Sequence, residues 1–323
     1  MTNPLRIIFL GTPKFAVPTL RALIASRHDV CGVMTRPDRA RGRGQRMSHT
    51  PIKAVAVEHG LRVLEPLRLQ GPDVETTLRT WQADLGVVAA YGKLIPESIL
   101  ALPRLGMINV HASLLPKYRG AAPVQRAVIN GERETGVTIM RMEQMLDVGP
   151  MFAKAVRKIG PNDTSDAIEY DLSKMGASLL MDVVDQLAKG TAKEKPQDDA
   201  QSSYASRLTK EEGLIDWELP ASDIHNLVRG LYPWPHAYTF LGPTRLIVLQ
   251  TRVEEKVFDA MPGTVVDTSR NGLYVATGHR GSIAIEQVQR ESGRPLNIRD
   301  FLSGHEIPAG SRFGGPVNTA SLR

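Results

Sequence analysis

The chain has 323 residues, of which 42% are hydrophobic and 23% charged, with a net charge of +6 at pH 7. This ordinary globular composition excludes a fibrous or wholly disordered protein, and the length predicts two domains of about 100–200 residues each. The single cysteine, Cys31, excludes an intramolecular disulfide, and because no apolar run reaches the roughly 18 residues that span a bilayer, we expect a cytoplasmic protein without a membrane partner.

The first 190 residues alternate apolar runs with amphipathic stretches. The apolar runs predict strands at 5–10, 30–35, 61–66, 85–92 and 106–112, followed by a hairpin of 135–142 and 150–159. Helical patterns fill the intervals, at 17–25, 51–60, 72–82, 123–132 and 164–190, with a short helix from Pro96. Strands that alternate with helices are typical of βαβ units. We therefore expect an α/β domain over 1–190, with a Rossmann-like, mostly parallel sheet and helices on both faces.

A second domain is predicted after a change of pattern. Residues 191–206 are polar and lack clear periodicity, so they are the predicted linker. Beyond them, a helical stretch at 220–231 precedes five short strands separated by Gly and Pro, at 237–241, 245–253, 263–268, 272–278 and 282–289. This arrangement predicts a small C-terminal OB-like β-barrel domain over 207–323.

The excess positive charge is concentrated in one segment, residues 36–53, which we call the basic segment. It holds six basic residues against one acidic residue, a net charge of +5; the basic residues are Arg36, Arg39, Arg41, Arg43, Arg46 and Lys53. The segment has no hydrophobic period and contains Gly and Pro, so it is predicted to be a flexible loop. Closely spaced arginines favour binding of a polyanion, because phosphates relieve their repulsion; the alternative is a solvated charged loop.

Three polar residues form the candidate catalytic set. Asn109 and His111 stand two apart at the end of a predicted strand, so their side chains point to the same face, and ligands of open α/β sheets bind beyond the carboxyl ends of strands. Asp147 lies in the irregular connection between the two strands of the predicted hairpin. A core histidine with a local hydrogen bond, and an aspartate that stabilises a turn, are the alternative interpretations.

Together these residues suit an acyl-type transfer without a covalent intermediate. The chain has no G-x-S-x-G motif, and Cys31 is in the middle of a predicted strand. Asn109 and His111 could donate hydrogen bonds to a developing oxyanion, while Asp147 holds His111 or handles protons. The loop at 11–16 lacks the spaced glycines of a dinucleotide-binding motif, which disfavours a dehydrogenase.

Several motifs carry a resemblance to a known family. Asn109-x-His111 followed by SLLPKYRGAAP (113–123), with Asp147 in LDVGP, resembles the formyltransferases that use 10-formyltetrahydrofolate. The similarity continues over nearly the whole chain, in GTPKFAVPTL (11–20), TRPDRARGRG (35–44), IDWELPASDI (215–224) and RGLYPWPHA (229–237). One departure is His236, where the family more usually has glycine.

The resemblance implies a reaction and its partners. It implies that a formyl group passes from 10-formyltetrahydrofolate, the co-substrate, to the α-amine of methionine on charged initiator tRNA. Asn109 and His111 would stabilise the tetrahedral intermediate, and Asp147 would pair with His111 and assist proton transfer to the leaving N10. No metal ion is expected, and we expect a monomer.

The resemblance also implies the binding residues. The folate would lie against the SLLP segment and residues of the loop after strand 85–92, which are Ser113, Leu114, Leu115, Pro116, Tyr91, Leu94 and Ile95. The tRNA acceptor stem would meet the basic segment, first through Arg43 and then through Arg39, Arg41 and Arg46. The first domain would be the catalytic domain and the C-terminal barrel the tRNA-binding domain.

Two other functions remain open at this stage. An amino-sugar nucleotide is the alternative formyl acceptor, since sugar formyltransferases share the SLLP segment, although a small sugar does not require an arginine-rich segment. A nucleic-acid-binding module without catalysis is the other alternative, and the presence of Asn109, His111 and Asp147 disfavours it.

Overall fold

The computed structural model describes residues 3–41, 46–269 and 272–315, with the backbone alone for 39–41 and 46–47. The chain divides into two compact units. Unit one comprises Met1–Pro123, Glu134–Lys158 and Glu169–Ala205, and unit two comprises Val124–Arg133, Ile159–Ile168 and Ser206–Arg323. Within the described ranges, no helix is both long and apolar enough to cross a membrane.

The elements follow the chain in this order. The strands are β1 (Arg6–Gly11), β2 (Asp29–Met34), β3 (Arg39–Arg41), β4 (Arg46–Ser48), β5 (Val63–Leu64), β6 (Leu85–Ala89), β7 (Met107–His111), β8 (Arg119–Gly120), β9 (Glu134–Arg141), β10 (Met151–Lys158), β11 (Tyr204–Ala205), β12 (Ala237–Leu241), β13 (Thr244–Glu254), β14 (Val265–Ser269), β15 (Gly272–Ala276), β16 (Ser282–Arg290), β17 (Leu296–Asn297) and β18 (Phe313–Gly314). The helices are α1 (Val17–Ile24), α2 (Pro51–Glu58), α3 (Pro72–Thr80), α4 (Glu97–Leu100), α5 (Pro123–Ile129), α6 (Ser165–Lys189), α7 (Ala221–Gly230) and α8 (Ile298–Gly304).

Unit one is built on a seven-stranded sheet in the order β10-β9-β7-β6-β1-β2-β5. Strands β7, β6, β1, β2 and β5 are parallel, while β9 and β10 form the predicted antiparallel hairpin. On one face Ile8 joins a buried cluster with Trp81, which follows α3. On the other face Gly176 of α6 approaches Val110 so closely that a Cβ there would lie 2.6 Å from it. The predicted mostly parallel sheet with helices on both faces is confirmed.

The strand order places a crevice at the carboxyl edge of this sheet. From β1 the chain first adds β2 and β5 on one side and then β6 and β7 on the other, so the loops after β1 and β6 diverge. Ligands of open α/β sheets bind at such a reversal. The hydroxyl of Thr12, after β1, donates to the carbonyl of Tyr91, after β6, at 3.0 Å. The residues that follow β7 border the same edge.

The basic segment contains a short antiparallel ribbon where the sequence predicts an irregular loop. Strands β3 and β4 pair through their backbones, in a register that no hydrophobic pattern encodes. The segment's one acidic residue, Asp38, anchors the base of the ribbon, since it accepts hydrogen bonds from Lys53 Nζ at 2.7 Å and the Thr50 amide at 3.3 Å and contacts His49 Nδ1 at 2.8 Å. The bond from Lys53 lowers the pKa of the Asp38 carboxyl.

Unit two is built around a curled antiparallel sheet in the order β14-β15-β16-β13-β12-β18. Its two edges meet, because the amide of Val265 donates to Ser311 O and the amide of Phe313 donates to Gly263 O, each at 2.8 Å. Trp217 stacks on Phe313 at a centroid distance of 5.8 Å, inside the core of this unit. The predicted OB-like barrel is confirmed with all five predicted strands; β17 and β18, of two residues each, are too short for a recognisable pattern.

Candidate active site

Asn109 and His111 lie at the end of β7, in the interior of the sheet between β6 and β9. His111 is buried, and its Nε2 is 2.9 Å from the carbonyl oxygen of Tyr118. A carbonyl only accepts, so Nε2 carries a hydrogen and donates to it. This bond fixes the ring plane and leaves Nδ1 as the other polar atom of the imidazole.

Asp147 is placed against that second nitrogen. Its Oδ2 lies 3.6 Å from His111 Nδ1, and both side chains are largely buried. The distance is longer than a hydrogen bond, and the contact is an ion pair only in the imidazolium form, in which both ring nitrogens carry hydrogen. The same Oδ2 accepts a hydrogen bond from the amide of Gly120 at 3.0 Å. The carboxylate is thereby fixed on one side and faces the imidazole on the other.

The loop that carries Asp147 is held by a side chain from the predicted linker. Gln197 donates through Nε2 to the carbonyls of Asp147, at 2.9 Å, and Gly149, at 2.8 Å. Its Oε1 in turn accepts two hydrogen bonds from Arg119. Asp147 has a φ of +54°, in the left-handed region that aspartate adopts more readily than most non-glycine residues. The two bonds from Gln197 hold the loop in this conformation.

The same segment also holds the partner of His111. The hydroxyl of Ser203 accepts from the amide of Tyr118 at 2.9 Å, and β11 pairs with β8, which contains Gly120. Residues 197–205, predicted to be part of a linker, therefore contact both Tyr118 and the Asp147 loop within unit one. The sequence shows no signal for these roles, because polar side chains that act through single hydrogen bonds have no period.

The SLLP segment begins two residues after the end of β7, and hydrogen bonds from the β9–β10 hairpin hold it in place. Ser113 and Leu115 are buried, while Leu114 and Pro116 are half-buried. The hydroxyl of Thr138 donates to Ser113 O at 2.7 Å and accepts from the Leu115 amide at 3.2 Å. The ammonium of Lys154 donates to the carbonyl of Leu115. Burial, and then the charge of Lys195, lowers the pKa of Lys154.

Replacing Thr138 by valine removes both of these hydrogen bonds at nearly constant volume. The buried Leu115 amide then loses its acceptor, so we expect the free energy of unfolding to fall by about 1–3 kcal/mol. Urea denaturation measures this change. Thr76→Val, at an exposed position of α3, is the matched control, and an equal effect at both positions would contradict the proposed fastening of the SLLP segment.

The three residues predicted to line a folate pocket after β6 differ in accessibility. Tyr91 and Ile95 are buried in a core cluster, and Leu94 is 72% exposed. Burial raises the pKa of Tyr91 to about 12, and its hydroxyl has no hydrogen-bond partner in the described part of the chain. Leu94 is therefore the most accessible of the three to a ligand, whereas Tyr91 and Ile95 lie in the core.

The predicted tRNA-binding arginines are only partly described. Arg39 and Arg41 lie on β3 and Arg46 on β4, of which the backbone alone is described. Arg43 lies outside the described residues. The structure thus places three of the four arginines on one short ribbon.

This arrangement can stabilise an oxyanion without a protein nucleophile. Asn109 is half-buried and makes no side-chain hydrogen bond to the described residues, so its amide N–H groups are available to a carbonyl oxygen. Burial raises the pKa of the Cys31 thiol to about 11, so this group stays protonated at neutral pH and is a poor nucleophile. The chemistry supported best is attack by a substrate amine on a substrate carbonyl.

Comparison with known proteins agrees with this chemistry. The model of the family "Formyl transferase" matches residues 5–184, and that of "Formyl transferase, C-terminal domain" matches residues 207–306. The methionyl-tRNA formyltransferase of Methylococcus capsulatus is 44% identical over 310 residues, which cover 96% of this chain and 100% of that protein. The methionyl-tRNA formyltransferase of Geotalea daltonii is 45% identical over 311 residues, which cover 96% and 98%.

Solved structures share the fold at lower identity. The sugar 3N-formyl transferase WlaRD, solved with dTDP and 5-N-formyl-THF, superposes with a TM-score of 0.67 at 17% identity, over 90% of this chain and 100% of that one. The N-formyltransferase of Helicobacter canadensis, in complex with folinic acid and dTDP-3-aminofucose, gives a TM-score of 0.65 at 16% identity, over 89% and 100%. From the family models and the full-length relatives, the chain belongs to the formyl transferase family.

Proposed function

We propose that this protein transfers the formyl group of 10-formyltetrahydrofolate to the α-amine of methionine carried by initiator tRNA. The observation that carries the proposal is the 44–45% identity to methionyl-tRNA formyltransferases over 96% of the chain, which includes both matched domains. The structural neighbours that act on sugars share only 16–17% of their residues with it. As an enzyme of translation it would act in the cytoplasm.

The reaction begins with attack of the neutral methionyl amine on the formyl carbon. A C–N bond forms, and the formyl oxygen acquires negative charge. The Asn109 amide and the Nδ1–H of a protonated His111 donate to this oxygen. The Asn109 side chain has no competing hydrogen bond to the described residues, and the contact of His111 with Asp147 is too long for a hydrogen bond. Both donors are preorganised, since β7 fixes one and the bond to Tyr118 fixes the other.

Collapse of the tetrahedral intermediate breaks the bond between the formyl carbon and N10 of the folate. The attacking nitrogen must lose a proton and N10 must gain one, so the net transfer is one proton between two substrate nitrogens. While it is ionised, the Asp147 carboxylate stabilises a protonated His111 beside the developing oxyanion. As the intermediate collapses, Asp147 accepts the proton from the attacking amine and passes it to N10, directly or through water. No bond to the protein forms at any step.

The folate and the tRNA bind to different parts of the protein. The SLLP segment and Leu94 line the folate site, while Tyr91 and Ile95, which the resemblance also implies, are buried in the adjoining core cluster. The folate ligands of the two neighbours named above support a folate co-substrate. The basic segment contacts the acceptor stem and the barrel of residues 207–323 binds the body of the tRNA. Residues 1–190 form the catalytic domain, and residues 191–206, which connect the two, also brace it through Gln197 and Ser203.

Competition between acceptors tests the proposal. The protein is incubated with formyl-labelled 10-formyltetrahydrofolate, initiator methionyl-tRNA and a dTDP-linked amino sugar, and the label is followed in each acceptor. We expect the label on the methionyl amine. Label on the amino sugar alone would identify a sugar-nucleotide formyltransferase, and absence of label on both would exclude the proposed reaction.

Replacing Arg43 by alanine tests the role of the basic segment. Loss of one phosphate contact should raise KM for methionyl-tRNA and reduce the slope of log(kcat/KM) against log[salt] by about 0.7–0.9. Steady-state kinetics at several salt concentrations measure the slope. Arg79→Ala, at an exposed position of α3, is the control with the same change of charge, and an equal slope in wild type and Arg43→Ala would rule out a phosphate contact at this residue.

A further inference from the structure

Tyr204 is an exposed aromatic residue beside the catalytic set that the mechanism above does not use. Its side chain is 68% exposed although its backbone, on β11, pairs with β8. Tyrosine is enriched at binding interfaces, because its ring is apolar and its hydroxyl is polar.

Gly120 connects this ring to the catalytic carboxylate. The Gly120 amide donates to Asp147 Oδ2 at 3.0 Å. A Cβ on Gly120 would lie 2.9 Å from Cε2 of Tyr204 and 2.7 Å from the carbonyl of Ala205, and its φ is +118°, so only glycine fits. Because Gly120 lies next to both groups, the edge of the Tyr204 ring is at most about 9 Å from the Asp147 carboxylate.

That distance matches the dimensions of the acceptor substrate. In any aminoacyl-tRNA the amino acid is esterified to the ribose of the 3′-terminal adenosine. About seven covalent bonds separate the amine from the adenine, which is roughly 9 Å in an extended conformation. A methionyl amine positioned at Asp147 therefore carries an adenine that can reach Tyr204.

We propose that Tyr204 stacks on the 3′-terminal adenine of methionyl-tRNA and so positions the amine at Asp147. The inference rests on the proposed function. Stacking on an aromatic side chain suits this base because it needs no hydrogen-bond readout, and every tRNA ends in the same nucleotide. Tyr204 is thus a binding residue for the acceptor end, and Gly120 couples its position to that of the carboxylate.

Kinetics of four variants test this role. Loss of a base–aromatic stack corresponds to about a 5- to 150-fold decrease, so Tyr204→Ala should lower kcat/KM for methionyl-tRNA by that factor. Tyr204→Phe should retain wild-type kinetics, and Tyr204→Leu, which keeps apolar bulk without a π-face, should resemble the alanine variant. Tyr170→Ala, at a 60% exposed tyrosine of α6, is the matched control and should behave as wild type.

A spectroscopic measurement separates stacking from a structural role. Uncharged initiator tRNA with 2-aminopurine in place of the terminal adenine should lose fluorescence on binding to wild type and to Tyr204→Phe, and should keep it with the alanine and leucine variants. Quenching by all four proteins, or wild-type kcat/KM in Tyr204→Ala, would overturn the inference. If wild type formylates methionyl-tRNA while Tyr204→Ala is unaffected, only the role of Tyr204 fails; if wild type does not formylate it, the proposed function fails.

Discussion

Replacing Asp147 by asparagine is expected to lower kcat by about 10²–10⁴, the range typical of a lost acid–base group. The substitution is chosen because asparagine keeps an oxygen for the Gly120 amide and tolerates the positive φ of this position. It removes the negative charge that faces His111 Nδ1 and the acceptor for the amine proton. The decrease in kcat should therefore reflect a slower chemical step, with the fold retained.

Single-turnover measurements, with enzyme in excess over methionyl-tRNA, report this loss without interference from product release. Asp29→Asn is the matched control, because Asp29 forms an exposed ion pair with Arg6 at the amino ends of β1 and β2, whereas the site lies at the carboxyl edge of the sheet. Such pairs contribute about 0–1 kcal/mol to stability, so this variant should retain the wild-type rate. A wild-type rate in Asp147→Asn would remove the carboxylate from the mechanism.

Asn109→Ala is expected to lower kcat by about 10²–10³ with little change in tRNA affinity. In the proposed mechanism the bond from the Asn109 amide to the formyl oxygen strengthens as negative charge develops on that oxygen, so its loss should affect the transition state more than the bound substrates. Because Asn109 makes no side-chain hydrogen bond to the described residues, the substitution breaks no hydrogen bond within the described part of the chain.

Turnover and tRNA binding should be measured together for this variant. Asn109→Asp provides the comparison, since it keeps the shape of the side chain but replaces the N–H donor with a negative oxygen. We expect it to be at least as impaired as the alanine variant. Full activity in either variant would mean that the oxyanion is stabilised elsewhere.

Regular patterns account for what could be predicted of the fold and the site. The alternation of apolar strands with helices predicts the sheet of unit one, and the two-residue period of a strand places Asn109 and His111 on one face. The start of α2 at Pro51 is also predictable, because threonine followed by proline is typical of a helix start. In the structure the Thr50 hydroxyl accepts a hydrogen bond from the Lys53 amide. Each of these signals is local in sequence.

Long-range hydrogen bonds account for what could not be predicted. Gln197 reaches Asp147 across 50 positions of the chain, and Ser203 reaches Tyr118 across 85. Neither residue differs in pattern from a solvated polar stretch, which is why residues 191–206 are predicted as a linker. The β3–β4 ribbon is not predictable for a similar reason, because backbone pairing alone defines it.

His236 replaces the glycine that is more usual in the family, and its backbone conformation is unfavourable for histidine. Its φ of +72° is in the left-handed region that glycine favours, and the related family more usually has glycine there. The ring makes an edge contact with Tyr232 at a centroid distance of 5.7 Å, which offsets part of the cost of that conformation.

The central claim is that His111 and Asp147 act as one unit on a formyl group during its transfer to methionyl-tRNA. The most direct test is a double-mutant cycle of single-turnover rates for wild type, His111→Ala, Asp147→Asn and the double variant. Residues that act as a unit are not additive, so the double variant should be about as slow as the slower single variant. A loss in the double variant equal to the product of the two single losses would show that the residues act independently and would contradict the claim.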